Sequence, residues 1–135
     1  MKLLMVHHNG KSKVIKLHHQ ELEDGFLRAA CSELGQFPKI RFVDGMLEDA
    51  QIIEYSVEDA RSTGHYLNMP VYYMQKGAAL DELIYGPVFL AKKIRRGDKE
   101  LIIGFSEREL KSLCRKMRIH PDNLRIHKGK RKGTL

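Results

Sequence analysis

The chain has only two cysteines, Cys31 and Cys114, among 135 residues. Both fall inside amphipathic helical patterns. They read as small buried hydrophobes of a reducing compartment and not as a disulfide framework. Long apolar runs are also missing. Runs such as Leu3 to Val6 and Leu101 to Ile103 fall far short of the roughly 18 residues of a membrane span. The opening run is too short for the core of a signal peptide, so a cytoplasmic protein is expected. Catalytic signatures are scarce as well. There is no Walker-type loop, no GxGxxG, no CxxC, no HExxH and no GxSxG elbow. The sequence therefore gives no grounds for a bound cofactor.

What is present is the balance of a soluble globular domain: 42% hydrophobic and 30% charged residues. The length fits one domain, expected over residues 1–126, with a basic tail at 127–135. The net charge of +7 is unevenly placed. Residues 1–90 carry nine Lys/Arg against twelve Asp/Glu; residues 91–135 carry fifteen against five. An acidic-to-neutral body followed by a basic third points to a polyanion or an acidic protein surface as partner.

Periodicity and turn chemistry predict an α+β fold. The antiparallel or mixed sheet would be built from hairpins, with two main helices on one face. Asn9-Gly10 predicts a two-residue hairpin that pairs Met5 with Val14 and Leu4 with Ile15. Leu27, Ala30, Cys31 and Leu34 predict a helix over about 20–34, closed by Gly35. Lys39–Gly45 reads as a strand, Asp44-Gly45 as a turn and 51–55 as a second strand. Residues 57–64 suggest a helical turn, 71–74 a brief strand and 79–83 another turn. Strands follow at 88–94 and 101–105 around Arg96-Gly97-Asp98, which reads as hairpin-tip chemistry and not an integrin motif. Ser106 and Glu109 form a capping box, with Phe105 and Leu110 placed as a hydrophobic staple. Leu110, Leu113, Cys114 and Met117 recur at i, i+3, i+4 and i+7, predicting a helix over 107–118. Residues 124–126 suggest a short edge strand.

Two histidine pairs, His7-His8 and His18-His19, raise the question of a metal site. The predicted hairpin sets His7 by the turn and His18 at the open end, roughly 20 Å away at about 3.4 Å per residue. Adjacent rings also point to opposite faces. Zinc needs its ligands around one centre, so no metal site is expected. Asp44 and Glu54 have the spacing of a metal-dependent nuclease pair, but Ser56 stands where such enzymes carry a basic residue. Glu48, Asp49, Glu54, Glu58 and Asp59 read as a solvated acidic surface or an interaction patch.

The basic third is the stronger lead. Lys92, Lys93, Arg95, Arg96 and Lys99 crowd one hairpin. Arg108, Lys111, Arg115, Lys116 and Arg118 lie off the apolar stripe of the last helix. Arg125, Lys128, Lys130, Arg131 and Lys132 extend the charge. Together they are the candidate nucleic-acid-binding residues, since neutralising phosphates takes many cations on one surface. No aromatics interleave them in sequence, so backbone contacts with little sequence preference are expected.

The stretch 81–113 resembles a family of small, functionally uncharacterised domains of bacteriophages and plasmids. The resemblance rests on Ile84, Gly86, Val88 and Leu90 in a strand and on the cap residues Ser106 and Glu109. It implies a mobile-element accessory protein, one that could blunt a host defence, and it supplies no catalytic residues. The leading expectation is thus a non-enzymatic protein binding nucleic acid or a nucleoprotein. The alternatives are a protein-binding inhibitor or adaptor and, third, a metal-dependent nuclease.

Overall fold

The computed structural model describes residues 2–8, 11–16, 23–76, 83–120 and 124–128. In chain order the elements are β1 (Lys2–Val6), β2 (Ser12–Lys16), α1 (Glu23–Leu34), β3 (Lys39–Leu47) and β4 (Ala50–Ser56). Then come α2 (Met69–Lys76), β5 (Val88–Arg96), β6 (Lys99–Ile103), α3 (Glu107–Met117) and β7 (Arg125–Lys128). The strands form one sheet in the order β3-β4-β5-β1-β2-β7. β5 gives one edge to β4 and divides the other, pairing residues 88–90 with β1 and 92–96 with β6. Among the described strands only β7 runs parallel to its neighbour, β2, so the sheet is mixed, as an α+β fold allows.

The central strands are buried on both faces. Leu3 to Val6 and Val88 to Ala91 are each essentially inaccessible, which is why they read as continuous apolar runs and not as alternating ones. Successive side chains feed two separate cores. Leu4, Val6, Val14, Ile52, Val88 and Leu90 pack with α2 and α3. Leu3, Met5, Ile15, Ile53, Tyr55, Phe89 and Ala91 pack with Ala30 and Leu27 of α1. The two main helices therefore lie on opposite faces, not on one. An unbroken apolar run needs cover on both sides. Cys31 and Cys114 sit on α1 and α3, so the sheet separates them.

Several local expectations shift. The first hairpin pairs Leu4 with Val14 and Leu3 with Ile15, one residue away from the two-residue-turn register. His7 N–H donates to the Lys11 carbonyl at 3.3 Å, in line with this register. This register turns Lys13 toward α1, where Glu33 pairs with it at 2.8 Å. Asp44-Gly45 is not a turn. Gly45 (φ +84°) lies in a bulge between Val43 and Leu47, and β3 continues until Glu48-Asp49 reverses the chain. The C-terminal strand reaches Lys128, two residues into the expected tail. The turn foreseen near 79–83 lies, apart from Leu83, outside the described residues. So do His18, His19, Lys130, Arg131 and Lys132.

The largest difference is α2, where a strand was expected. Asn68 explains it. Its Oδ1 accepts from the Val71 N–H at 3.1 Å, which caps the helix, and Pro70 fits the first turn. Its Nδ2 donates to the Val6 carbonyl at 3.1 Å and the Gly86 carbonyl at 2.8 Å. The residue is fully buried. Gly86 (φ +79°) comes so close that a Cβ would meet the His65 ring at 3.1 Å. Replacing Asn68 with Ala should cost about 2–4 kcal/mol, since two buried carbonyls lose their donor and a helix loses its cap. Asn68→Asp keeps the cap but sets a carboxylate against both carbonyls. Chemical denaturation should find it no more stable than the Ala variant. An Asp variant as stable as wild type would reduce Asn68 to a cap.

Candidate nucleic-acid interface

α3 forms for the reasons the sequence suggested. The Glu109 N–H donates to Ser106 Oγ at 3.2 Å, and the Ser106 N–H donates to Glu109 Oε1 at 2.9 Å. Glu107 and Glu109 occupy the first turn and Arg115 and Lys116 the last, each favoured by the helix dipole. Leu110, Leu113, Cys114 and Met117 are buried. The helix closes at Arg118, which is left-handed at φ 59°, while the Ile119 N–H returns to the Cys114 carbonyl at 2.9 Å. That conformation costs a non-glycine residue about 1 kcal/mol. The Arg118 guanidinium lies over the Tyr73 ring, 4.0 Å from its centroid, a contact of comparable magnitude.

Opposite the buried stripe, Arg108, Lys111 and Arg115 are exposed. They form a row about 10 Å long at 1.5 Å per residue, and Arg118 continues its i, i+3, i+7 spacing. Among the described residues none of these three cations is in an ion pair.

The other expected cations do not all join this row. Lys92 faces α3 but is engaged inside the fold, donating to Glu109 at 2.7 Å with its side chain only 12% exposed. Lys93 projects from the opposite face, because neighbouring strand residues alternate. There it pairs with Glu100 at 2.9 Å and lies 4.6 Å from the centroid of Phe42. Arg95 follows Lys93 and lines a shallow cleft of about 450 Å³ with Asp44, Gln51 and Glu100. Arg96 and Lys99 are exposed, directly paired at the hairpin tip. Lys116 donates to the Met46 carbonyl at 2.7 Å, tying α3 to β3. Arg125 and Lys128 lie on β7. The single basic surface expected from the sequence is thus divided by the sheet, and the α3 row is its most coherent part.

Sequence reading missed the aromatics. Tyr72 and Tyr73 are distant from the cations along the chain, yet α2 packs beside α3 on the same face. Tyr73 lies under Arg118, and its ring centroid is 5.9 Å from that of Tyr72. Tyr66 is 72% exposed and meets the His8 ring at 5.2 Å. Reading 71–74 as a helix would have revealed this, and the signal was Asn68 before Pro70.

The acids also sort differently. Glu54 is fully buried and not part of a solvated patch; Gln75 Nε2 donates to it, and Arg41 Nε lies 3.9 Å away. Asp44 accepts from Gln51 at 2.8 Å in the exposed bulge. Glu54 pairs in register with Arg41, three residues back along β3, so the two nuclease-spaced carboxylates do not converge. His7 lies among Lys13, His8 and Glu33. Burial first, then Lys13 and His8, hold its pKa below the ordinary value, against the pull of Glu33. Among the described residues no three His, Cys, Asp or Glu side chains gather as metal ligands would. No helix of the described residues is long and apolar enough to cross a membrane. No protein-family model, curated protein or solved structure matches the chain.

Burial opposes ionisation of Glu109, but the Lys92 ammonium and the Ser106 N–H outweigh it and hold the carboxyl below its ordinary value of 4.5. A depressed folded-state pKa adds stability above the unfolded value, and that stability is lost as pH falls through the folded value. Glu109→Gln preserves the capping geometry. Urea titrations from neutral pH to about pH 3 should show a shallower acid limb for this variant than for wild type. Parallel curves would mean that Glu109 contributes no pH dependence.

Proposed function

We propose that the protein binds nucleic acid, free or within a nucleoprotein, through the outer face of α3, and performs no chemistry on it. The observation that carries this reading is the row Arg108, Lys111 and Arg115. These side chains are exposed, aligned on one helix face and joined to no described acid. Cations spared from internal ion pairs can displace counterions from phosphates, and such contacts carry little sequence preference. Arg96 and Lys99 at the hairpin tip, and the basic residues from Arg125 onward, would extend the contact. An accessory role in a phage or plasmid, as the resemblance of residues 81–113 implies, is compatible with such an activity.

A second reading has its own support. Among the described residues β3 ends the strand order, and on or beside it Phe37, Ile40 and Phe42 are 69%, 42% and 51% exposed. An apolar patch on the strand that ends the described sheet suits a protein partner, which would make the chain an inhibitor or adaptor.

Salt titration of binding to generic DNA and RNA separates the two. Wild type should lose affinity steeply with salt. The triple variant Arg108→Ala/Lys111→Ala/Arg115→Ala should reduce the log–log slope by about 2–3, at roughly 0.7–0.9 per phosphate contact. Arg28→Ala, exposed on α1 across the sheet, should change nothing. A triple variant that binds like wild type would remove α3 from the interface. No binding by wild type even at low salt would leave the protein-partner reading in its place.

A further inference from the structure

We infer that the nucleic acid held at α3 is single-stranded, with its bases stacking on a tyrosine ridge of α2; this rests on the α3 reading above. α2 buries Pro70, Val71, Met74 and Gln75 against the sheet. Its remaining positions, Met69, Tyr72, Tyr73 and Lys76, recur at i, i+3, i+4 and i+7 and form the outward face. The helix thus turns Val71 and Met74 into the core and leaves both aromatic rings on its outer side. Tyr72 is 37% exposed, and its ring is inclined 60° to that of Tyr73. Tyr72 is exposed and Tyr73 half-buried beneath Arg118, and neither ring belongs to a core cluster.

The position of the ridge gives it a use. The cation row of α3 runs from Arg108 through Lys111 and Arg115 to Arg118, and Arg118 ends over Tyr73. Phosphate-binding charge therefore leads directly onto aromatic surface, and Lys76 adds a cation on the α2 side. This pairing of a charged track with stacking rings suits an unpaired strand, whose bases can leave their neighbours and lie on a tyrosine. A duplex keeps its base faces stacked within the helix and could use only the cations. The shared chemistry is a phosphate run with accessible bases; DNA and RNA both supply it.

The test uses the full chain with fluorescein-labelled dT20, rU20 and a 20-base-pair duplex, read by anisotropy at low and moderate salt. Wild type should bind a single strand about tenfold more tightly than the duplex. Tyr72→Ala/Tyr73→Ala should lose about tenfold for the single strand, the order expected for one or two stacked bases, with the salt slope and duplex binding unchanged. Tyr72→Phe/Tyr73→Phe should bind like wild type, because the rings remain. Should the double Ala variant fail to fold, Tyr72→Ala alone carries the test, since Tyr72 is exposed and outside the core. A preference for rU20 over dT20, or the reverse, identifies the sugar. Equal binding of single strand and duplex, with the tyrosine variants unchanged, overturns the stacking inference and leaves the α3 reading standing. No binding of any probe overturns both.

Discussion

One buried amide holds the α2–α3 face together. Asn68 reaches the Val6 carbonyl of the central strand β1 and the Gly86 carbonyl before β5, and it caps α2 through the Val71 N–H. Its own N–H donates to the Ile84 carbonyl, and its carbonyl accepts the Tyr72 N–H. A buried amide left without these partners would be costly, so the geometry around it is tightly specified. What it specifies is where α2 lies. α2 in turn supplies Val71 and Met74 to the core that receives the stripe of α3. The cation row and the tyrosine ridge meet because a single side chain fixes one helix beside the other.

The electrostatics show why counting charges overstated the basic surface. Lys92 is spent on Glu109, Lys93 on Glu100 and Lys116 on a backbone carbonyl. Lys2 at the far end of β1 pairs with Glu107 of α3 in the same manner. Lys2, Lys92 and Lys116 hold α3 to the sheet, and Lys93 ties β5 to β6. The partly buried Lys92–Glu109 pair also reinforces the capping box, so it does more for the fold than an exposed pair, which contributes about 0–1 kcal/mol. Cations available to a partner are those facing solvent on α3 and at the hairpin tip. Glu54 makes the same point for acids, since it sits in the core against Gln75 and Arg41.

Much of this was legible in sequence where the signal was local. The capping box at Ser106 and Glu109 and the four-residue stripe of α3 were readable because both depend on spacing within one helix. Gly35 closes α1 as expected, with its N–H donating to the Cys31 carbonyl at 2.8 Å. The strands expected at 88–94 and 101–105 appear as β5 and β6, with β6 shifted two residues earlier to Lys99–Ile103, and they were readable because a Gly-Asp tip between apolar runs favours a hairpin. The first hairpin was misplaced by one residue: Asn9-Gly10 is compatible with more than one register, and the one adopted sends Val14 and Ile15 into the two separate cores and Lys13 toward Glu33. α2 was misread because Val71, Tyr72 and Tyr73 suit a strand locally. Asn68 acts as a cap only when β1 and Gly86 are there to hold it.

By itself the sequence determined the α+β class, the elements with strong local periodicity and the existence of an outward cationic row on the last helix. Each follows from residues within a few positions of one another. Tertiary structure alone decided that α1 and α3 cover opposite faces, which cations are consumed in the fold, and that Tyr73 lies under Arg118. Those outcomes depend on contacts between segments tens of residues apart, and their geometry exists only once the sheet has brought them together.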